Sequence, residues 1–138
     1  DNKLRAQAWF TVDDLKYLKR GGRLSATSAA LGTMLDLKPI ITEGKNGKLL
    51  STDKVRGRKQ ALRTLAELAA QNIDDPAEAE MYVLHADAPE DADRLVQLLR
   101  EKIPGLGNIS TRYVGPVIGA HCGPGTVAVC FFGKERPY

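Results

Sequence analysis

Between Gly115 and Gly125 the chain reads GPVIGAHCGPG, eleven residues that hold four glycines and two prolines around one histidine. Glycine and proline at that density are needed only where a backbone turns tightly or comes very close to something else, so the surrounding fold must accommodate a constrained loop here. His121 is the side chain of this segment that can carry or share a proton near neutral pH. The pattern predicts an imidazole presented from a rigid loop, with Gly119 and Gly123 letting backbone N–H groups turn toward an anion.

Strand and helix patterns alternate on either side of it. Residues 7–12 (QAWFTV) predict a strand, followed by a short helix through 14–19 that Asp13 caps and Gly21-Gly22 stops. Ser25 is expected to cap a second helix over 25–35 (SATSAALGTML), with Ala29, Ala30, Leu31 and Met34 on its apolar side. Residues 37–42 and 48–55 read as a hairpin whose turn takes its positive φ values from Asn46-Gly47. Residues 57–72 predict a helix with Leu62, Leu65, Ala66 and Ala69 inward. A strand over 81–86 precedes a helix over 89–103, where Ala92, Leu95, Val96, Leu99 and Ile103 fall on one face. Residues 108–114 and 126–132 are strands flanking the glycine loop. Interleaved elements with a hairpin among them predict an α/β fold, a two-layer sandwich with a mixed β-sheet and helices.

The chain has 138 residues, enough for one domain with a core of its own. Its two cysteines, Cys122 and Cys130, make no disulfide framework. No signal peptide or membrane-spanning run is recognisable, which predicts a cytoplasmic protein without stable membrane insertion. His85, His121, Cys122 and Cys130 lack the short paired spacing of a metal site, so no metal and no cofactor is expected.

Net charge is +3, but residues 1–63 hold 14 Lys or Arg against 6 Asp or Glu, and the remainder 6 against 11. The front half is thus about +8 and the back half about −5, which points to an anionic partner near the front. Two basic clusters stand out. In KRGGR, Lys19 and Arg20 suit a helix C-terminus and leave Arg23 free for another task. Lys54, Arg56, Arg58, Lys59 and Arg63 crowd the start of the third helix, where cations oppose the helix dipole and ask for a reason. With three Phe, four Tyr and one Trp and no recognisable module, nucleic acid is not the expected partner.

The stretches FTVDDLKYLKRGGRLS, LDLKPIIT with DKVRGRKQA, and GPVIGAHCGPGTVAVCFFG, in that order and at these spacings, resemble the DegV family of bacterial fatty-acid-binding proteins. The resemblance covers nearly the whole chain. It implies the C-terminal lipid-binding domain of a two-domain protein, a carrier without catalytic activity. Its ligand would be a long-chain fatty acid, with the carboxylate at the junction with an N-terminal domain and the acyl chain in an apolar tunnel, presented to a fatty acid kinase. Carried over by motif, His121 holds the carboxyl group with Arg23 beside it, and Arg56, with Arg58 and Lys59, faces the kinase. Many relatives carry a basic residue three positions after the arginine of GGR, where this chain has Ala26. Expected tunnel walls are Ala29, Ala30, Met34, Leu35, Ile40, Val117, Ile118 and Phe131. Two other readings compete. One is a hydrolase or transferase with His121 as general base, although no nucleophile elbow or paired carboxylates accompany it. The other is a basic protein-docking module without a ligand.

Overall fold

A computed structural model describes residues 2–23 and 36–138. The helix expected over 25–35, with Met34, lies outside the described residues. A short 3₁₀ turn, Lys3–Arg5, leads into β1 (Ala6–Thr11), α1 (Lys16–Arg20), β2 (Leu37–Glu43), β3 (Leu49–Arg56), α2 (Arg58–Asn72), β4 (Glu80–His85), α3 (Pro89–Lys102), β5 (Asn108–Tyr113), α4 (Pro116–Cys122) and β6 (Val127–Phe132). The six strands form one sheet in the order β3-β2-β1-β6-β4-β5. Among the described residues only β4 and β5 pair in parallel, so the sheet is mixed, as the interleaved pattern predicts.

Alternation along the strands gives the sheet two different faces. Trp9, Ile40, Met81, Val83, Val127, Val129 and Phe131 point into the main core, which α2 closes with Leu62, Leu65, Ala66 and Ala69 and α3 with Ala92, Leu95, Leu98 and Leu99. On α3 the buried side is turned slightly from expectation: Leu98 is buried while Val96 is partly exposed. Phe10, Ile41 and Ala128 face the other way and meet Leu18 of α1 and Cys122 of α4 in a second, smaller core. Pro39 lies inside β2 without cost because β1 pairs with β2 only at Thr42 and Ile41, leaving Pro39 with β3 as its one neighbour.

Two local expectations change. In the β2–β3 turn Gly47 alone has positive φ; Asn46 instead accepts a hydrogen bond from Lys48 N through its side-chain oxygen, 3.0 Å. At α1 it is Asp14, not Asp13, whose carboxylate accepts from the first turn, at Lys16 N (2.9 Å). Asp13 pairs with Lys38 across the fold, 2.8 Å.

The carboxy-terminal segment is tied back by a buried arginine. Arg136 donates from Nε to Ala6 O (2.7 Å) and from Nη1 to Gly44 O (3.1 Å), and Nη2 pairs with Glu43. One side chain thereby fastens the start of β1 to the β2–β3 turn.

Candidate functional site

The glycine-rich segment is not a loop throughout, because Pro116–Cys122 forms the helix α4. Pro116 opens it, where a missing N–H costs nothing, and Gly123 closes it at φ +82, a conformation that side chains with a Cβ rarely adopt. In a helix a histidine reaches back one turn, and His121 Nδ1 lies 2.7 Å from Val117 O. Its neighbour Cys122 is turned into the second core, and burial pushes its thiol pKa up, which makes it a poor nucleophile.

The strand ends beneath hold both feet of this excursion. Val114 N donates to His85 O (3.0 Å) before α4; after it, Gly125 N donates to Ala86 O (2.7 Å) and Ala86 N to Thr126 O (3.0 Å). Thr126 Oγ1 closes the exit by donating to Gly123 O, 2.8 Å. The buried His85 is fixed in turn, its Nδ1 accepting from Ala88 N (3.2 Å) and its ring resting on Tyr113. Arg58 braces the segment from the side: Nε pairs with Asp91 at 2.7 Å and Nη2 donates to Gly125 O, while Nη1 is buried with no partner among the described residues. The unfavourable cation at the start of α2 therefore has an internal reason, and Arg58 is turned into the fold rather than outward to a partner. Arg56 and Lys59, by contrast, are exposed.

α1 packs on α4 through glycines. A Cβ at Gly21 would overlap the His121 ring, 3.3 Å from Cγ and Nε2 and closer to Cδ2. A Cβ at Gly123 would stand 2.6 Å from Tyr17 Cγ, and one at Gly125 2.6 Å from Asp13 Cβ. Arg23 belongs to the same clasp, its Nη1 donating to Gly21 O at 3.0 Å. The two residues singled out from distant motifs, His121 and Arg23, thus both meet one glycine, the ring against its Cα and the guanidinium on its carbonyl oxygen. Lys19 and Arg20 are exposed beside them, so the clasp is cationic.

The expected apolar walls separate. Ile40 and Phe131 belong to the main core under α2 and α3, on the wrong sheet face for α4. Val117 and Ile118 are 68% and 56% exposed, on the outer side of α4, and Gly119 is half-buried against Val114. The face that does lead away from the clasp was not anticipated. Cross-strand pairing sets Leu84, Ala128 and Phe10 in one row, Tyr82, Cys130 and Ala8 in the next, and Phe132 beside Ala6 beyond them. Tyr82 and Phe132 are exposed large hydrophobics, and Leu84, Cys130 and Ala8 are partly buried. The signal for this strip is the alternation of TVAVCFF, where Ala128, Cys130 and Phe132 share the face opposite Val127, Val129 and Phe131. A separate crevice lined by Arg5, Asp74, Glu78, Glu80 and Phe132 lies at the opposite end of the sheet from α4.

The mixed sheet thus carries a constrained histidine helix beyond the ends of β4 and β5, clasped by a glycine-arginine turn. The model of the DegV family, described as "Uncharacterised protein, DegV family", matches residues 1–134, and the chain belongs to that family. It is 42% identical over 136 residues to a DegV domain-containing protein of Clostridium perfringens, covering 99% of this chain and 46% of that protein. Among solved structures it resembles the fatty acid binding DegV family protein of Streptococcus agalactiae, with a TM-score of 0.82 and 32% identity over 95% of this chain and 46% of the other. DegV of Bacillus subtilis, a fatty acid binding protein, has a TM-score of 0.72 and 34% identity over 96% of this chain and 46% of the other. The chain spans about half the length of the relatives it matches. Among the described residues no helix is long and apolar enough to cross a membrane, and no cluster of three or more His, Cys, Asp or Glu could hold a metal.

Proposed function

We propose that this chain is the acyl-binding half of a fatty acid carrier: the α1–α4 clasp receives the acid head group of a long-chain fatty acid, and the tail follows the apolar strip of β6, β4 and β1. The observation that carries this reading is the convergence of His121 and Arg23 on Gly21 at the head of that strip. A carboxylate taken from water needs charged or hydrogen-bonding partners, since burying it alone costs several kcal/mol. The fatty acid binding of the Streptococcus agalactiae and Bacillus subtilis proteins supports the same ligand class.

In this reading affinity and orientation are divided. Burying about fourteen methylenes contributes on the order of 11 kcal/mol before ordering costs. His121 and Arg23 then govern how the head group sits and leaves. The exposed Val117 and Ile118 beside His121 provide an apolar rim against which a second domain of the whole protein would close over the carboxylate. With the acid so presented, the protein acts as a carrier for a fatty acid kinase, and exposed Arg56 and Lys59 are the candidate contacts for it.

Native mass spectrometry with denaturing lipid extraction tests this on the whole protein that carries this chain, purified from bacteria. A stoichiometric long-chain fatty acid is the expected result, with His121→Ala leaving the fold intact and slowing acyl transfer. A whole protein that holds no lipid and takes up none when offered ends the reading.

A further inference from the structure

The hydrogen bond made by His121 inside α4 decides which of its nitrogens a ligand can use. Val117 O is a carbonyl oxygen and can only accept, so Nδ1, 2.7 Å away, must be the donor and carry the proton. In the neutral ring Nε2 is then a bare lone pair, and no described residue bonds to it. The ring has little freedom to escape this tautomer. Gly21 blocks one edge at near-contact distance, and a turn about χ2 would give up the bond to Val117.

A bare lone pair repels a carboxylate. The two can share a hydrogen bond only if a proton lies between them. Among the described residues no charged or titratable side chain is bonded to Nε2. The neighbouring elements carry Tyr17, Lys19 and Arg20 on α1, Arg23 in its turn, held on Gly21 O, and Asp13 before it, paired with Lys38, while Cys122 of α4 is buried in the second core.

We infer that fatty acid binding at this clasp takes up one proton from solvent, held between the ligand carboxyl oxygen and His121 Nε2. The balance is simple: carboxylate, neutral His121 and one solvent proton give the complex, and release returns that proton. The site thus accepts an acid together with its proton and discriminates against permanently charged anions such as alkyl sulfonates, which have no proton affinity to share. This inference rests on the fatty acid reading above.

The test uses the whole protein with nitrogen-15 histidine, studied by NMR at about pH 8 before and after loading with oleate carbon-13 labelled at its carboxyl group. His121→Gln separates the His121 signals from those of His85. Before loading, the expected ring carries its proton on Nδ1 alone. After loading, either both ring nitrogens are protonated or the carboxyl carbon moves to the acid position, and calorimetry in two buffers of unlike ionisation heat counts one proton per oleate. Affinity then falls about tenfold per pH unit on the alkaline side, and His121→Gln flattens that slope. Oleate retained with a neutral ring, a carboxylate carbon and no proton uptake overturns the inference while the fatty acid reading stands. A ligand-free ring protonated on Nε2 overturns it as well. Failure to retain oleate at any pH overturns the ligand reading and this inference with it.

Discussion

Gly21 stands with its bare Cα against the imidazole of His121, so the position of the histidine depends on the absence of a methyl group at the residue that ends α1, far away in the chain. Gly21 has φ −77, a helical value alanine adopts freely, and the glycine is there for contact rather than conformation.

Gly21→Ala therefore acts first on His121, whose ring supplies the nearest atoms to the new methyl group. We expect it to displace the ring at a cost of about 1–2 kcal/mol and to lose that penalty in the Gly21→Ala, His121→Ala double variant, a coupling measured by urea unfolding of all four proteins. Gly123→Ala combines positive φ with overlap on Tyr17 and costs more, about 2–4 kcal/mol. Equal penalties for Gly21→Ala with and without the imidazole would show that the contact is not the constraint.

Arg58 and Asp91 form a part-buried pair that also supports Gly125 O. Arg58→Met or Asp91→Asn should each lower stability by about 1–3 kcal/mol, with a double-mutant coupling that an exposed docking residue would lack. Arg56→Met and Lys59→Met, on exposed ground, should leave the unfolding midpoint within about 0.5 kcal/mol of the parent.

Arg136→Met keeps much of the aliphatic stem but strips donors from Ala6 O and Gly44 O and leaves Glu43 unpaired. A loss of about 2–4 kcal/mol is expected, with faster amide exchange at the start of β1 and in the β2–β3 turn. Unchanged exchange there would mean the carboxy-terminal segment does not fasten the sheet.

Burial pushes the Cys130 thiol up to about 11. Its folded pKa is raised, so the fold favours the protonated form. The stability this contributes is full below the unfolded value near 8.5 and is lost as pH rises from there through 11. Alkaline unfolding curves should show this decline in the parent and less of it in Cys130→Ala. The thiol should also react slowly with a neutral disulfide reagent at about pH 8.

Much of this was legible in the chain itself. The 3.6-residue spacing of Leu62, Leu65, Ala66 and Ala69 and of Ala92, Leu95 and Leu99 identifies the two main helices, because a residue's burial there follows from its own period. The motifs around His121 and Arg23 could be picked out as well. The helix α4 was obscured by glycine density, although Pro116 at its first turn and Gly123 after its last are recognisable boundary signals. Arg58 reads as one cation among five, since nothing local indicates that Asp91 and Gly125 wait on its inner side. Ile40 and Phe131 read as tunnel wall for a similar reason: alternation tells which residues share a face but not which face the helices will cover.

The sequence by itself determined the six strands, the helices α1, α2 and α3, the mixed α/β class and the family, because periodicity, turn chemistry and motif spacing are properties of neighbours along the chain. Tertiary structure alone decided that KRGGR meets α4 at Gly21, that His121 donates from Nδ1 to Val117 and leaves Nε2 bare, and that the apolar strip runs along β6, β4 and β1. The meeting at Gly21 and the strip depend on which atoms of distant segments come into contact, which the packing of sheet and helices sets, and the His121 bond to Val117 depends on the segment being a helix rather than a loop.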